Sequence, residues 1–360
     1  MDALLEPSWL QTLWFFLIAF FFLCYFVLEG FDFGVQMNVG AFWRRGTRTR
    51  GTLLKTIGPV WDGNEVFLIT GGALMFAAFP EWYATLFSGF YLALLGLLLA
   101  LIVRVCAFKW RDKEEGERWR STWDAVHVLS GLAPAFLWGV AFSNIVAGVE
   151  IDQNRWVTTS LLGLLNPFAL LGGAVFVLLF WLHGTLYLSL KLDGPLREDV
   201  NRLGGRLVGP TILAGAAYLV WYQLAHSHTL LTWIPLALAA AALVAVVPLN
   251  RVRREGWAFT ATTTAIAAAS LTLFGGLFPY VLPATNDPAH SLTVANASST
   301  EHTLTVMLVA LVVLLPVVLA YTAWTYRVFR HRVSDEDSPA PGAELLEKAR
   351  RGYRDAFEQD

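Results

Sequence analysis

Long hydrophobic runs alternate with short polar connections along almost the whole chain. Most runs reach the roughly 20 residues that an α-helix needs to cross the hydrocarbon core of a bilayer. The pattern predicts nine spans, at residues 12–35, 59–79, 83–105, 123–147, 160–189, 207–225, 230–249, 257–279 and 303–326. We therefore expect an all-α polytopic membrane protein with nine transmembrane helices, which would fit two four-helix bundles plus one additional helix.

A change of composition separates a predicted integral membrane domain, residues 1–333, from a predicted cytoplasmic tail, residues 334–360. Residues 334–342 are rich in Ser, Pro and acidic side chains, which is typical of a solvated linker. The apolar side chains that recur at helical spacing in residues 343–357 are Leu346, Ala349, Tyr353 and Phe357. This spacing fits a short amphipathic helix, and a frayed polar tail is the alternative.

Charge sorts along the chain in a way that supports the membrane assignment. Hydrophobic residues make up 56% of the chain and charged residues 15%, against about 25% charged in an average soluble domain. All of the 26 Lys and Arg residues except Arg155 fall on alternate connections or after the last span. By the positive-inside rule, the N-terminus is predicted to lie outside and the C-terminus in the cytoplasm. No nucleic-acid partner is expected.

Ionisable residues within the predicted spans are the candidates for function, because such groups are rare in a bilayer. Glu29 and Asp32 lie in the first span, and Asp62 and Glu65 lie in the second. The members of each pair are three residues apart, so each pair is expected to share one helix face. Asp32 lies twelve residues before Arg44, which places it about 18 Å from that basic edge. The two pairs should therefore occupy a similar depth in the cytoplasmic half.

Two further charges are expected at the same level. Arg104 ends the third span and Asp124 begins the fourth, both on the predicted cytoplasmic side. Four consecutive spans would thus bring five carboxylates and one guanidinium toward one layer. Buried carboxylates near one another can exchange protons close to neutral pH, which suits a proton relay that Arg104 keeps partly ionised. The alternative is that these are ordinary helix-end charges, stabilised by the helix dipole or by Arg104.

Other residue types give weaker indications. Trp61 fits an interfacial anchor, and a contact with lipid, a quinone head group or a cofactor edge is the alternative. His127 and His183 have no second histidine within their spans, so polar packing is expected for both rather than haem ligation. Cys24 and Cys106 do not form a metal-binding pattern. From these residues alone, the chain is a membrane protein with a cytoplasmic-side cluster that can handle protons, and neither a catalytic nor a metal-binding residue is predicted.

Several motifs resemble those of a known family. The leading matches are Glu29-Gly30-Phe31-Asp32-Phe33-Gly34 and Gly58-Pro59-Val60-Trp61-Asp62-Gly63-Asn64-Glu65-Val66. Further matches follow in the same order, including Gly139-Val140-Ala141-Phe142-Ser143-Asn144, Leu165-Asn166-Pro167-Phe168 and Tyr321-Thr322-Ala323-Trp324. Together they resemble subunit II of bd-type quinol oxidases, from about residue 25 to 330.

The resemblance implies a subunit of a bacterial inner-membrane oxidase that oxidises quinol and reduces dioxygen to water. Its expected partner is a homologous subunit I, which in the family holds two b-type haems and one haem d. Quinol, membrane lipids and small accessory subunits are further partners that the family implies. The family's proton-relay aspartates match Asp32 and Asp62, and some members hold a structural quinone near the position of Trp61. Glu65 departs from the family, whose other members carry Gln there.

Two rival interpretations use the same residues. A proton-coupled secondary transporter would also combine acidic residues within spans and glycine-interrupted helices. A purely structural subunit would use the acids only for contacts between helices. Haem and quinol oxidase activity in the complex purified through this chain would favour the oxidase over both a transporter and an unrelated scaffold.

Overall fold

The computed structural model describes residues 6–227 and 229–334, and the predicted linker and tail helix lie outside these residues from position 335 onward. Within them the chain forms eleven α-helices. These are α1 (Trp9–Ala41), α2 (Gly46–Lys55), α3 (Trp61–Ala78), α4 (Pro80–Gly89), α5 (Tyr91–Trp110), α6 (Glu117–Ala147), α7 (Pro167–Lys191), α8 (Gly194–Ala225), α9 (Trp233–Arg251), α10 (Glu255–Leu277) and α11 (Glu301–Val328).

Eight of these helices are long and apolar enough to cross a membrane by themselves. Helices α3 and α4 pass the same test only as a pair, which is bent by 119° at the junction between them. The described residues therefore hold eight spans, or nine when the bent pair counts as one. This confirms the predicted all-α polytopic fold.

Three predicted boundaries were wrong. The expected continuous span at 83–105 is broken, because α4 ends at Gly89 and α5 begins at Tyr91. The span expected at 160–189 begins only at Pro167, where the Asn166 side chain caps the helix by accepting a hydrogen bond from the Ala169 amide. Helix α8 begins thirteen residues before the expected position 207, because a helix can continue into water past its apolar part.

Helix α1 lies at the centre of the molecule and packs against α3, α6, α7 and α10. Its crossing with α7 is close because glycines face each other: a Cβ on Gly34 would lie 2.0 Å from the Phe180 carbonyl oxygen and 2.7 Å from Gly184 Cα. Aromatic side chains fill the neighbouring core, where Phe26 contacts Phe142 with 5.0 Å between ring centroids. The predicted division into two four-helix bundles stays a prediction, because α1 packs along α7 as closely as along α6.

The last helix has few protein neighbours. Leu304 is the one buried residue of α11 among the described residues, and the helix contacts α1 and α3. Its far end is held more firmly, because Arg332 donates to the Leu192 carbonyl and the Val333 amide donates to the Lys191 carbonyl. On the opposite side of the molecule, the connection before α11 forms a two-stranded antiparallel sheet of β1 (Tyr280–Leu282) and β2 (Leu292–Thr293).

Candidate functional site

A buried ionic cluster, which we call the Arg104 cluster, joins the first three long helices. Arg104 of α5 is fully buried, and its Nη1 atom lies 2.5 Å from Glu29 Oε2 and 2.7 Å from Glu65 Oε1. Glu29 is also fully buried, whereas the Glu65 side chain keeps 17% of its surface exposed. The structure thus brings together acids from α1 and α3 around one guanidinium, as the sequence predicts for Glu29, Glu65 and Arg104.

Asp32 completes the cluster through a longer contact and a hydrogen-bonded chain. Its Oδ2 atom lies 3.9 Å from Arg104 Nη2 and accepts a hydrogen bond of 2.7 Å from Asn64 Nδ2. Asn64 Oδ1 in turn accepts from the hydroxyl of Tyr326 at 2.7 Å. Sequence reasoning missed both of these partners. The position of Asn64 one turn before the buried Phe67 was a usable signal, whereas nothing near Tyr326 indicated that it would reach α3.

Several polar atoms of the Arg104 cluster have no hydrogen-bond partner among the described residues. They are Glu29 Oε1, Asp32 Oδ1, Arg104 Nε and Arg104 Nη2. Buried polar groups in folded proteins are normally satisfied by protein or by ordered water. These atoms belong to the charged groups themselves. They can therefore form hydrogen bonds to water, and the carboxylate oxygens among them can bind a proton.

Aromatic rings enclose the guanidinium on its other sides. Arg104 Cζ lies 4.9 Å from the ring centroid of Phe33 and 5.7 Å from that of Trp61. Trp61 stacks on Phe108 with 4.6 Å between centroids and an angle of 6° between the planes, and only 5% of the residue is exposed. Phe108 therefore covers one flat face of Trp61 within this chain, and that face is not available to lipid or a quinone.

Asp62 is not part of the Arg104 cluster. It lies in the first turn of α3, on an exposed face, while Trp61 and Asn64 turn inward on the same helix. Of Asp62 and Glu65, which were expected to share one face of the helix, it is Glu65 that contacts Arg104. An acid in the first turn is stabilised there by the helix dipole.

Asp124 belongs to a second buried cluster, the Asp124 cluster, at the start of α6. Its Oδ2 atom accepts from Arg50 Nε at 2.7 Å and its Oδ1 atom from Arg111 Nε at 2.6 Å. Asp124 pairs with Arg50 of α2 and with Arg111 rather than with Arg104. Arg50 lies in the connection between the first two predicted spans, and the sequence did not single it out as a partner of Asp124.

Between the two clusters lies a short polar group around His127, for which polar packing was expected, whereas its partners Gln36 and Ser130 were not predicted. Gln36 Nε2 lies 2.9 Å from His127 Nδ1 and 3.4 Å from Ser130 Oγ, and all three residues are buried. His127 also packs edge-on against Phe108, at 4.6 Å between centroids. The spacing of His127 and Ser130, three residues apart on α6, was a signal that both would face α1.

His183 does not fit haem ligation, because it engages both ring nitrogens, with Nδ1 at 2.7 Å from Thr262 Oγ1 and Nε2 at 3.1 Å from the Val27 carbonyl. His127 uses Nδ1 for Gln36, and its Nε2 atom has no hydrogen-bond partner among the described residues. Across residues 6–227 and 229–334, no three His, Cys, Asp or Glu side chains form a group able to hold a metal ion.

Comparison with known proteins identifies the family. A family model described as cytochrome bd terminal oxidase subunit II matches residues 10–329. Cytochrome bd ubiquinol oxidase subunit 2 of Bacillus subtilis is 37% identical over 332 residues, which cover 91% of this chain and 98% of that protein. Cytochrome bd-I ubiquinol oxidase subunit 2 of Escherichia coli K12 is 34% identical over 365 residues, covering 91% and 96%.

A solved structure agrees in fold. A chain of the bd oxidase from Geobacillus thermodenitrificans superimposes with a TM-score of 0.76 at 20% sequence identity, covering 89% of this chain and 99% of that chain. The resemblance predicted from the sequence motifs is thereby confirmed. With a family model that spans most of its length and relatives that align over nearly all of it, the chain belongs to the cytochrome bd terminal oxidase subunit II family.

Proposed function

We propose that this subunit pairs with a haem-bearing subunit I in a bacterial inner-membrane quinol oxidase and supplies a cytoplasmic-side route for protons. The haems are held by the partner in this proposal, which agrees with the engaged ring nitrogens of His183. Reduction of dioxygen to water consumes protons, so a site in the partner needs a supply of them. The N-terminus would lie outside and the C-terminus in the cytoplasm.

The observation that carries the proton route is the excess of acid around Arg104. Three carboxylates, those of Glu29, Asp32 and Glu65, face one guanidinium within the spans. If all were ionised, three negative charges would meet one positive charge in a medium where unbalanced charge is unfavourable. Binding protons relieves the imbalance, and releasing them restores it. The cluster is thus suited to hold and pass protons, whereas a purely structural cluster would be expected to balance its charge.

The exposure of the acids gives the route a direction. Glu65 is the member with exposed surface, at 17% of its side chain, while Glu29 and Asp32 have none. Asp62 precedes Glu65 by about one turn of α3 and is exposed. A proton would therefore enter at Asp62, pass Glu65 and reach Glu29 or Asp32 at the centre of the subunit.

The position of Asp62 also supports the pairing with a partner. An ionisable side chain on the outer face of a spanning helix is unfavourable against lipid, so it is expected to face water or another protein. The exposed apolar side chains on α5 and α11 could contact either lipid or subunit I. They therefore do not indicate which surface of this subunit faces the partner. The acid on α3 does not fit lipid, and it supports a contact with water or with subunit I on that side of the molecule.

The test compares neutralised acids with an acid outside the route. In the complex purified through this chain, Asp62→Asn and Asp32→Asn are expected to slow oxygen-driven proton uptake and quinol oxidase turnover by about 10-fold or more. The haem absorbance should be unchanged. The matched control is Glu81→Gln, which removes an exposed acid whose partner is Arg155 at 3.1 Å.

Two outcomes would contradict the proposal in different ways. Normal proton uptake in an Asp32→Asn, Asp62→Asn double variant would favour the scaffold interpretation. A purified complex without haem or oxidase activity would contradict the pairing itself. The transporter interpretation has lost its support, because family membership favours the oxidase.

A further inference from the structure

A groove of ≈ 580 Å³ lies where α1 ends and α8 begins, and none of its lining residues belongs to the Arg104 cluster. One wall is the short turn Trp43–Arg45 that follows α1, and the other is the first part of α8. Because the predicted apolar part of α8 starts at residue 207, the groove lies at the border between membrane and cytoplasm. The groove is therefore level with the lipid head groups of the membrane.

The groove carries an excess of positive charge. Four arginines line it, Arg44, Arg45, Arg202 and Arg206, against the single acid Asp199. Asp199 is shared, since it forms ion pairs with both Arg45 and Arg202. Arg44 and Arg206 are exposed and make no ion pair with any described residue. Two guanidinium groups are therefore free to bind an anion in the groove.

The wall that carries Arg44 is held in place by buried contacts. Arg50, which is 3% exposed, donates a hydrogen bond of 2.7 Å to the Trp43 carbonyl and places its guanidinium 4.2 Å from the centroid of the Trp43 ring. The same arginine is fixed by Asp124 at 2.7 Å. The turn is thus anchored from inside the protein, and a ligand would meet a largely preformed site.

The surroundings of the groove distinguish a lipid from a soluble anion. Trp43 is 41% exposed at its edge, as is common for tryptophan at the membrane interface. On α8, residues 202, 206, 210 and 213 lie along one face of the helix, and all four are exposed. The last of them, Leu213, is 74% exposed. Leu213 lies about 10 Å deeper than Arg206 along the helix. A molecule with a phosphate at the arginines would lay its acyl chain along this apolar stripe.

We propose that this groove binds the phosphate of an anionic phospholipid from the cytoplasmic leaflet. Arg44 and Arg206 would form forked hydrogen bonds to the phosphate oxygens, and Trp43 and Leu213 would contact the glycerol and acyl parts. Basic pockets between spanning helices on this side of a membrane are a recognised class of lipid head-group site. The site is separate from the proposed proton route and does not depend on it.

The test uses the oxidase complex purified through this chain in detergent, with increasing fractions of dioleoyl phosphatidylglycerol. Bound lipid is counted by native mass spectrometry, and apparent affinity is taken from the lipid-dependent rise in the unfolding midpoint. We expect an R44Q/R206Q double variant to bind phosphatidylglycerol about 30-fold more weakly. The matched control, R251Q/R254Q, neutralises two exposed arginines at the α9–α10 connection and should bind like the unaltered complex.

A second variant keeps the test informative if the double variant folds poorly. Asp199→Asn removes the acid that competes for Arg45 and Arg202, so it should bind phosphatidylglycerol more tightly than the unaltered complex. Zwitterionic phosphatidylcholine and soluble glycerol 1-phosphate serve as comparison ligands, and both should bind weakly. The proposal is overturned if R44Q/R206Q binds phosphatidylglycerol normally, if Asp199→Asn weakens binding, or if glycerol 1-phosphate competes as well as the lipid.

Discussion

Two buried clusters of arginine and acid lie in the same half of the molecule, and they differ in how their charges are balanced. In the Asp124 cluster, two arginines surround one carboxylate whose two oxygens are both used, and Arg111 also pairs with Asp112 at 2.8 Å. The guanidinium groups also donate to the Trp43 and Thr47 carbonyls. In the Arg104 cluster, three carboxylates surround one arginine, and several polar atoms have no partner among the described residues.

The difference bears on what each cluster can do. Arginine does not release its proton at any physiological pH, so an arginine-rich cluster is a permanent electrostatic clamp. Carboxylates can become neutral by binding protons, so an acid-rich cluster can change its charge. A buried ion pair is therefore not by itself a sign of function. Two features distinguish the Asp124 cluster, as a clamp, from the Arg104 cluster, as the proposed proton site. They are the ratio of acids to arginines and the presence of polar atoms without a hydrogen-bond partner.

The largest change in stability is expected in the Asp124 cluster. Asp124→Asn would remove the carboxylate shared by Arg50 and Arg111, neither of which can become neutral. Arg50 would be left buried without a counter-charge, and Arg111 would keep only the exposed Asp112 at 2.8 Å. The loss of a partner from a buried pair typically destabilises by about 3–5 kcal/mol. Thermal or denaturant unfolding of the purified complex would measure this loss. Turnover per assembled complex should stay near normal, and a selective loss of turnover with unchanged stability would contradict the comparison.

A smaller loss of stability but a larger loss of activity is expected in the Arg104 cluster. In Arg104→Gln, the three carboxylates can bind protons and so avoid uncompensated charge, which limits the destabilisation to about 1–3 kcal/mol. Turnover should fall by at least about 10-fold, because the cluster would no longer hold an ionised acid. Unfolding and oxygen consumption are measured on the same preparation. If Arg104→Gln proved less stable than Asp124→Asn, the assignment of the Asp124 cluster as the clamp and the Arg104 cluster as the proton site would be reversed.

The smallest effect is expected at the edge of the Arg104 cluster. Tyr326→Phe removes one hydroxyl, which donates to Asn64 at 2.7 Å. The expected destabilisation is about 1 kcal/mol, since one hydrogen bond is lost and Asn64 keeps its bond to Asp32. A matched control is Tyr321→Phe, which removes the hydroxyl of an exposed tyrosine on the same helix. Equal behaviour of the two variants would show that the Asn64 contact contributes nothing measurable.

Hydropathy and charge were sufficient to predict the fold class, because insertion into a bilayer imposes long apolar helices and basic cytoplasmic connections. They did not predict the break at Phe90, since hydropathy is averaged over a whole run and does not mark where one helix ends and the next begins. The start of α8 was missed for the opposite reason: its first turns are polar and lie outside the hydrophobic run.

The candidate site was predicted in part. The spacing of Glu29 and Asp32 correctly placed both near Arg104, because α1 has a single face toward α3 and α5. The same spacing failed for Asp62 and Glu65, because it does not fix which of two residues on a helix edge turns inward. The contact of Tyr326 could not be predicted from the sequence, since its partner Asn64 lies 262 residues earlier in the chain.

The bond between Tyr326 and Asn64 has a consequence for biosynthesis. Membrane helices leave the ribosome in order, so α1 and α3 are made long before α11. The hydrogen-bonded chain from Asp32 through Asn64 to Tyr326 can close only after the last helix has been inserted beside them. A chain that stops before Tyr326 would hold its acids without this closure, so the proposed proton site would be completed only when synthesis of the membrane domain is nearly finished.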